Sequence, residues 1–278
     1  MADVRAATDI PVERALVAGA RADRLGFAFV GGYQAALTML CGPADGVRSL
    51  CITEATGNSP RDIATTLVSA PTHGFTLTGR KKWATGAPFA TELIVAAKIG
   101  TDTSGRNQIR LARVATRAPG VRLVPSRTAF VPEIPHAEVE LDGVPVAEAD
   151  LLRGDGYDDY IKPFRTIEDI HVHAALLGYL IGVAHRRAFR RDTIESLLAL
   201  AVTIRALAHA DAKAPTTHVA LAGTFALVAR EVTAIETAWA AVPDEEWHRW
   251  QRDRVLLQVA GKAREARRDK AWSLLAVS

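Results

Sequence analysis

The sequence predicts an α+β fold in three parts: a short N-terminal helical segment over residues 1–45, a central β-barrel or sandwich over 46–155, and a C-terminal antiparallel helical bundle over 156–278. The hydrophobic period changes twice, from helical to two near Ser49 and back to helical near Pro163. Turn-forming residues punctuate the middle stretch at short intervals, as in a small all-β domain.

In the first segment, Leu16, Ala20, Leu25 and Phe29 form one apolar stripe over 11–40. Asp9 is placed to cap, Pro11 suits the first turn, and Glu13 complements the helix dipole. Gly31-Gly32 is expected to break the helix before Leu37, and Cys41-Gly42-Pro43 to end it. In the middle segment Phe75-Thr-Leu77, Ile109-Arg-Leu111, Val121-Arg-Leu123 and Val139-Glu-Leu141 alternate, and Leu93 to Ala97 is a continuous apolar run of strand length. Turns are expected at Thr72-His73-Gly74, Asp102 to Asn107, Ala118-Pro119-Gly120, Pro132 to Pro135 and Asp142-Gly143. In the last segment Ile167, Ile170, Ala174, Leu177, Ile181 and Ala184 recur at helical steps over 164–187. Further helices are expected over 195–207, 217–242 and 245–275, with Asp244 capping the last.

Composition narrows the classes. At 278 residues and 49% apolar, the chain can bury one or two cores. Two cysteines, Cys41 and Cys51, suit a reducing cytosol better than a disulfide framework, so a cytoplasmic protein is expected. No signal pattern opens the chain, and the longest uncharged apolar run, Ala174 to Ala184, falls short of the ~20 residues a membrane span takes. A net charge of +3 does not by itself imply nucleic acid and would equally suit a phosphate-bearing small ligand.

The most informative stretch is Leu50-Cys51-Ile52-Thr53-Glu54-Ala55-Thr56-Gly57-Asn58-Ser59, followed by Gly79-Arg80-Lys81-Lys82-Trp83-Ala84-Thr85-Gly86. An apolar strand ends in a hydroxyl and a carboxylate; some twenty residues later another strand carries Trp-x-Thr. Singly, Thr53 and Thr85 read as ordinary strand threonines and Trp83 as core. Jointly they resemble the flavin-cradling phrases V-T-E-x-x-x-G-S-D and K-x-W-I-T of the acyl-CoA dehydrogenase family. Gly120-Val-Arg-Leu-Val-Pro, Ala137-Glu-Val-Glu-Leu-Asp-Gly-Val-Pro-Val and Leu152-Arg-Gly-Asp-Gly extend that resemblance through the β-domain. It implies FAD as cofactor, an acyl-CoA or related thioester as substrate, hydride transfer from the acyl β-carbon to flavin N5, and a homodimer or homotetramer. Ile52 and Thr53 would lie at the flavin edge, Trp83 would wall the ring, Thr85 would approach N5, and Ser59 would face the pyrophosphate or the acyl-CoA. Pro60 stands where the family has Asp, and Ala84 where it has Ile.

The family's C-terminal Q-x-x-G-G and Y-E-G-T phrases, the second carrying its catalytic glutamate, are not found, and neither are most of its N-terminal helices. A non-catalytic shortened homologue with a binding or regulatory role is therefore the alternative expectation. Some branches place the base on the first bundle helix, where Glu168 is the candidate; the competing reading makes Glu168 and Asp169 solvated first-turn acids. His171-x-His173 on a helix points two ways and lacks a third ligand, so no metal is expected. The basic run Arg249, Arg252, Arg254, Lys262, Arg264, Arg267, Arg268 and Lys270 reads as a solvated face, with Val255, Val259, Ala263 and Ala266 packed inward, rather than as a nucleic-acid surface.

Overall fold

In the computed structural model, which describes residues 8–57, 59–71 and 74–276, the chain divides into two units. One holds the residues up to Met39 together with those from Phe164 onward, and the other holds Leu40–Pro163.

Seven strands build the second unit: β1 (Arg48–Cys51), β2 (Thr66–Ala70), β3 (Gly74–Thr85), β4 (Glu92–Thr101), β5 (Asn107–Ala115), β6 (Val121–Ser126) and β7 (His136–Val146). They form one mixed sheet in the order β1-β4-β2-β3-β7-β6, with β5 also paired to β4, curled into a half-barrel. Leu77, Val139 and Leu141 from the alternating runs and Leu93 and Val95 from the continuous run cluster in its core, together with Leu67 and Val114. The turn expected at Thr72-His73 lies outside the described residues.

The first unit is helical. It comprises α1 (Pro11–Arg21), α2 (Leu25–Cys41, whose last two residues are assigned to the other unit), α3 (Lys162–Arg186), α4 (Arg191–Leu207), α5 (Pro215–Ala240), α6 (Glu245–Asp253) and α7 (Gly261–Leu275). Of the stripe residues read from the sequence, Leu25, Ile170, Ala174, Leu177 and Ala184 join one core with Leu197, Ile204, Leu221, Ile235, Trp239 and Trp250. Ala20, by contrast, is exposed, and α1 buries Val12, Ala15 and Gly19 instead. Asp244 caps α6, accepting from the Trp247 N–H at 2.9 Å, as its position after Pro243 predicts.

Three local expectations are corrected. The first helix does not break at Gly31-Gly32, which lie inside α2; the break falls between α1 and α2, at Ala22–Arg24. A Cβ at Gly32 would press on the backbone of His171 and Val172, and one at Gly31 on the Ala18 side chain, so these glycines admit close helix contacts rather than ending a helix. Asp9 does not cap α1; Ile10 holds the cap position without a side-chain bond, and Asp9 pairs with Arg14 at 2.9 Å. The expected helix over 245–275 is two helices joined by a tight turn at Arg254–Gln258. That turn leaves Val255 and Val259 exposed, so the apolar stripe expected there does not pack.

Two helices, Gly156–Arg186 and Pro215–Ala240, are long and apolar enough to cross a membrane, with 18-residue windows of mean hydropathy 1.3. The first has 72% of its window buried inside the protein, as a core helix does; the second has only 28%.

Candidate functional site

The two phrases singled out in the sequence meet at one end of the sheet. After β1 the chain bends through Ile52–Glu54 and runs beside β3, where the Lys82 N–H donates to the Thr53 carbonyl at 2.7 Å. A buried ion pair fixes this approach. Glu54 Oε1 accepts from Lys81 Nζ at 2.6 Å, from the Thr65 N–H at 3.0 Å and from Thr65 Oγ1 at 2.8 Å, while Oε2 accepts from the Ala64 N–H at 2.9 Å. Lys81 Nζ also donates to the Ile52 carbonyl at 3.3 Å, and its side chain is fully buried. Burial opposes the Glu54 charge, but the Lys81 ammonium and the backbone donors outweigh it and hold the carboxyl below its usual range. Thr-Glu and Lys-Lys-Trp gave no local sign of this pairing. The available signal was a lysine in phase with Leu77 on the core face of a strand.

Trp83 is placed by a β-bulge. Lys81 pairs with Val139 and Ala84 with Ala137, so two residues of β3 oppose the single Glu138 of β7. Trp83 sits in the bulge at φ 58, the left-handed region that side chains with a Cβ rarely adopt. Its indole is 61% exposed, which excludes the reading of Trp83 as core. Strain of this kind persists where the surroundings impose it and clusters at ligand sites. Past the bulge, Ala84 and Ala137 enter the buried core, so Thr85 and its cross-strand partner His136 face the opposite way. The Trp83 ring lies edge-on to the His136 ring with centroids 6.5 Å apart, on the same outward face.

Ile52, Thr53, Trp83 and Thr85 are thus brought to one region, and the Thr53 and Thr85 hydroxyls make no hydrogen bond to described residues. Ser59 stands on a separate short turn, which it caps: its N–H donates to Asp62 Oδ2 at 3.0 Å, and its Oγ accepts from the Arg61 N–H at 3.4 Å. Asn107 Nδ2 ties that turn to β5 through the Pro60 and Ile63 carbonyls, at 3.0 and 3.1 Å. Pro60, the departure from the family phrase, occupies the first position of this turn, where its missing N–H costs nothing. Asn58 lies outside the described residues. An exposed indole beside unengaged hydroxyls offers what a planar heterocycle with polar edges requires, so these residues fit a flavin ring.

In the helical unit Glu168 lies well inside α3, not in its first turn, and is half-buried. Burial, followed by the neighbouring Asp169 charge, pushes its carboxyl up to about 7. Asp169 is not solvated either: Arg264 Nε and Arg267 reach its two oxygens at 2.8 and 2.6 Å. Those two members of the basic run therefore turn inward, and Arg249, Arg252, Arg254 and Arg268 pair with nearby acids. His171 and His173 donate from Nδ1 to the Ile167 and Asp169 carbonyls at 2.7 and 2.8 Å, and burial holds both rings down at about 4. Among the described residues no cluster of three potential ligands could hold a metal ion.

The raised Glu168 carboxyl has a consequence for stability. Its protonated form is favoured by folding, so its contribution is fully present below the unfolded value of 4.5 and is lost as pH rises through about 7. Glu168→Gln is expected to flatten that segment of the stability–pH curve and to stabilise the protein above pH 7. Urea denaturation at pH 5, 6, 7 and 8 measures this; parallel curves for both proteins would refute it.

Residues 49–144 match the acyl-CoA dehydrogenase middle-domain family model. No curated protein sequence matches the chain. Among solved structures, butyryl-CoA dehydrogenase from Megasphaera elsdenii is similar at TM-score 0.72 and 16% identity, over 94% of this chain and 81% of that one. The prolyl acyl carrier protein oxidase AnaB is similar at 0.67 and 16%, over 95% and 82%. The FAD complex of PigA is similar at 0.67 and 13%, over 95% and 82%. Identities this low speak to the fold. The chain therefore carries an acyl-CoA dehydrogenase middle domain at residues 49–144 within an acyl-CoA dehydrogenase-like fold.

Proposed function

We propose that this chain binds FAD and oxidises the Cα–Cβ bond of an acyl-CoA or related thioester. When bound, FAD supplies the acceptor for the hydride leaving the acyl β-carbon. Trp83 walls the ring, the Thr53 and Thr85 hydroxyls meet its polar edge, and Ile52 holds the backbone beside Thr53 through its carbonyl bond from Lys81. Thr85 is assigned to the N5 edge, where its hydroxyl would be placed to donate a hydrogen bond. Ser59, on its anchored turn, is assigned to the pyrophosphate or the acyl-CoA. The candidate proton acceptor for the α-carbon is Glu168, whose carboxyl titrates near neutrality as a general base should.

The reading is carried by the Trp83 bulge, an exposed indole held in a strained backbone beside Thr85. Trp83→Gly is accordingly expected to leave stability unchanged or raise it by up to about 1 kcal/mol, since glycine adopts this φ freely. The same substitution is expected to weaken FAD binding at least tenfold. Titration of both proteins with FAD, followed by flavin fluorescence and by thermal melts, tests this; wild-type protein that binds no FAD overturns the proposal. With FAD bound, Glu168→Gln should abolish acyl-CoA-dependent dye reduction, and unchanged turnover would remove Glu168 as the base.

We assign the protein to the cytoplasm as a homodimer or homotetramer. Both cysteines are free and buried, and Leu198, Val202 and Leu227 leave apolar side chains exposed on α4 and α5.

A further inference from the structure

The register of the sheet adds a residue that the sequence phrases do not mark. Thr85 of β3 pairs with His136 of β7, and His136 pairs in turn with Ser126 of β6. Directly opposed residues of an antiparallel pair share a face, with Cβ atoms about 5 Å apart. Thr85, His136 and Ser126 therefore form one row across three strands, on the face opposite the core that takes Ala84 and Ala137. All three are half-buried, and the Trp83 indole stands edge-on to the His136 ring.

The imidazole is oriented. Nδ1 lies 3.2 Å from the Ile134 carbonyl, which can only accept, so Nδ1 carries the proton. In the neutral ring that leaves Nε2 as an acceptor, and it has no hydrogen-bond partner among the described residues. A pure acceptor beside the Thr85 hydroxyl complements an N–H on the edge of a planar ring, which neither threonine hydroxyl is committed to meet. We propose that His136 is a further binding residue of the candidate flavin site, presenting Nε2 to the edge of the ring that Trp83 and Thr85 hold. This rests on the FAD-binding reading above.

The test is a titration of wild type, His136→Ala and His136→Gln with FAD, reading the dissociation constant, the absorption maximum of the bound flavin and its reduction potential. Nitrogen-15 spectra of the histidine rings follow the same titration in wild type. The expected result is a His136 Nε2 resonance that moves on adding FAD, and affinity about five- to tenfold weaker in His136→Ala, the loss of one hydrogen bond. The flavin spectrum and potential of that variant should shift. His136→Gln, which keeps an acceptor, should recover most of the affinity and the spectrum. A merely structural histidine would lower the melting temperature of both variants and leave the spectrum and potential of bound flavin as in wild type. Wild type that binds FAD with an unmoved His136 resonance, or a His136→Ala variant with unchanged affinity, spectrum and potential, overturns this inference alone. Wild type that binds no FAD overturns the FAD-binding reading and this inference together.

Discussion

Replacing Lys81 with Met is expected to cost about 3–5 kcal/mol of stability, the usual penalty for leaving one member of a buried ion pair alone. Glu54 would keep its bonds from Thr65 and Ala64 but lose the ammonium that offsets its burial. The Ile52 carbonyl would lose its side-chain donor as well. Because these bonds join the bend after β1 to β3, the damage should reach the candidate site: FAD affinity should fall with stability, though neither Lys81 nor Glu54 reaches the outward face where Trp83 stands. Lys81→Met combined with Glu54→Gln should recover part of the lost stability, since it removes the uncompensated charge. Urea denaturation of the two single variants and the double variant forms the double-mutant cycle. A coupling energy below about 0.5 kcal/mol would show that the pair does not hold these segments together.

Asp169→Ala should have a comparable effect in the helical unit. The carboxylate receives Arg264 and Arg267 on separate oxygens and is itself buried. Arg264 is further held by the Leu257 carbonyl at 2.8 Å and lies 5.2 Å over the Phe225 ring. His173 also stacks on the Phe225 ring, with centroids 3.9 Å apart. Removing Asp169 leaves two guanidinium groups short of their anion along the seam of α3, α5 and α7, at a cost of about 3–5 kcal/mol. Since the pairs are largely buried, 0.5 M salt should reproduce little of that loss in wild type, where the Debye length is still several ångströms. A loss under 1 kcal/mol, or a wild-type melting temperature that falls steeply with salt, would place these ions in solvent after all.

The same seam shows why part of the sequence was misread. Asp169 among acids near the start of an expected helix, and arginines spaced along the last helix, both look like solvated faces when each helix stands alone. They become buried partners only because residues 95 and 98 positions apart in the chain meet. Glycines misled in the same way: Gly31-Gly32 lowers local helix propensity by about 1 kcal/mol per residue, yet α2 runs through both, because only glycine lets its backbone reach α3 and α1 so closely. The last helix failed in the opposite sense: a helical period continued through Val255 and Val259, and the chain turned there regardless.

Local periodicity and turn chemistry determined the helix–sheet–helix order of the chain and the Asp244 cap, while the two phrases around Thr53 and Trp83 were legible as a family resemblance. Those signals lie within a few residues of one another, and backbone sterics and side-chain alternation convert them directly into structure. The tertiary structure alone decided that Thr53 meets Lys82, that Glu54 takes Lys81, that Trp83 stands out in a bulge, and that His136 lies beside Thr85. Those are matters of strand register and of which buried charges find each other. Shifting β7 against β3 by a single residue would keep every period intact and turn His136 into the core.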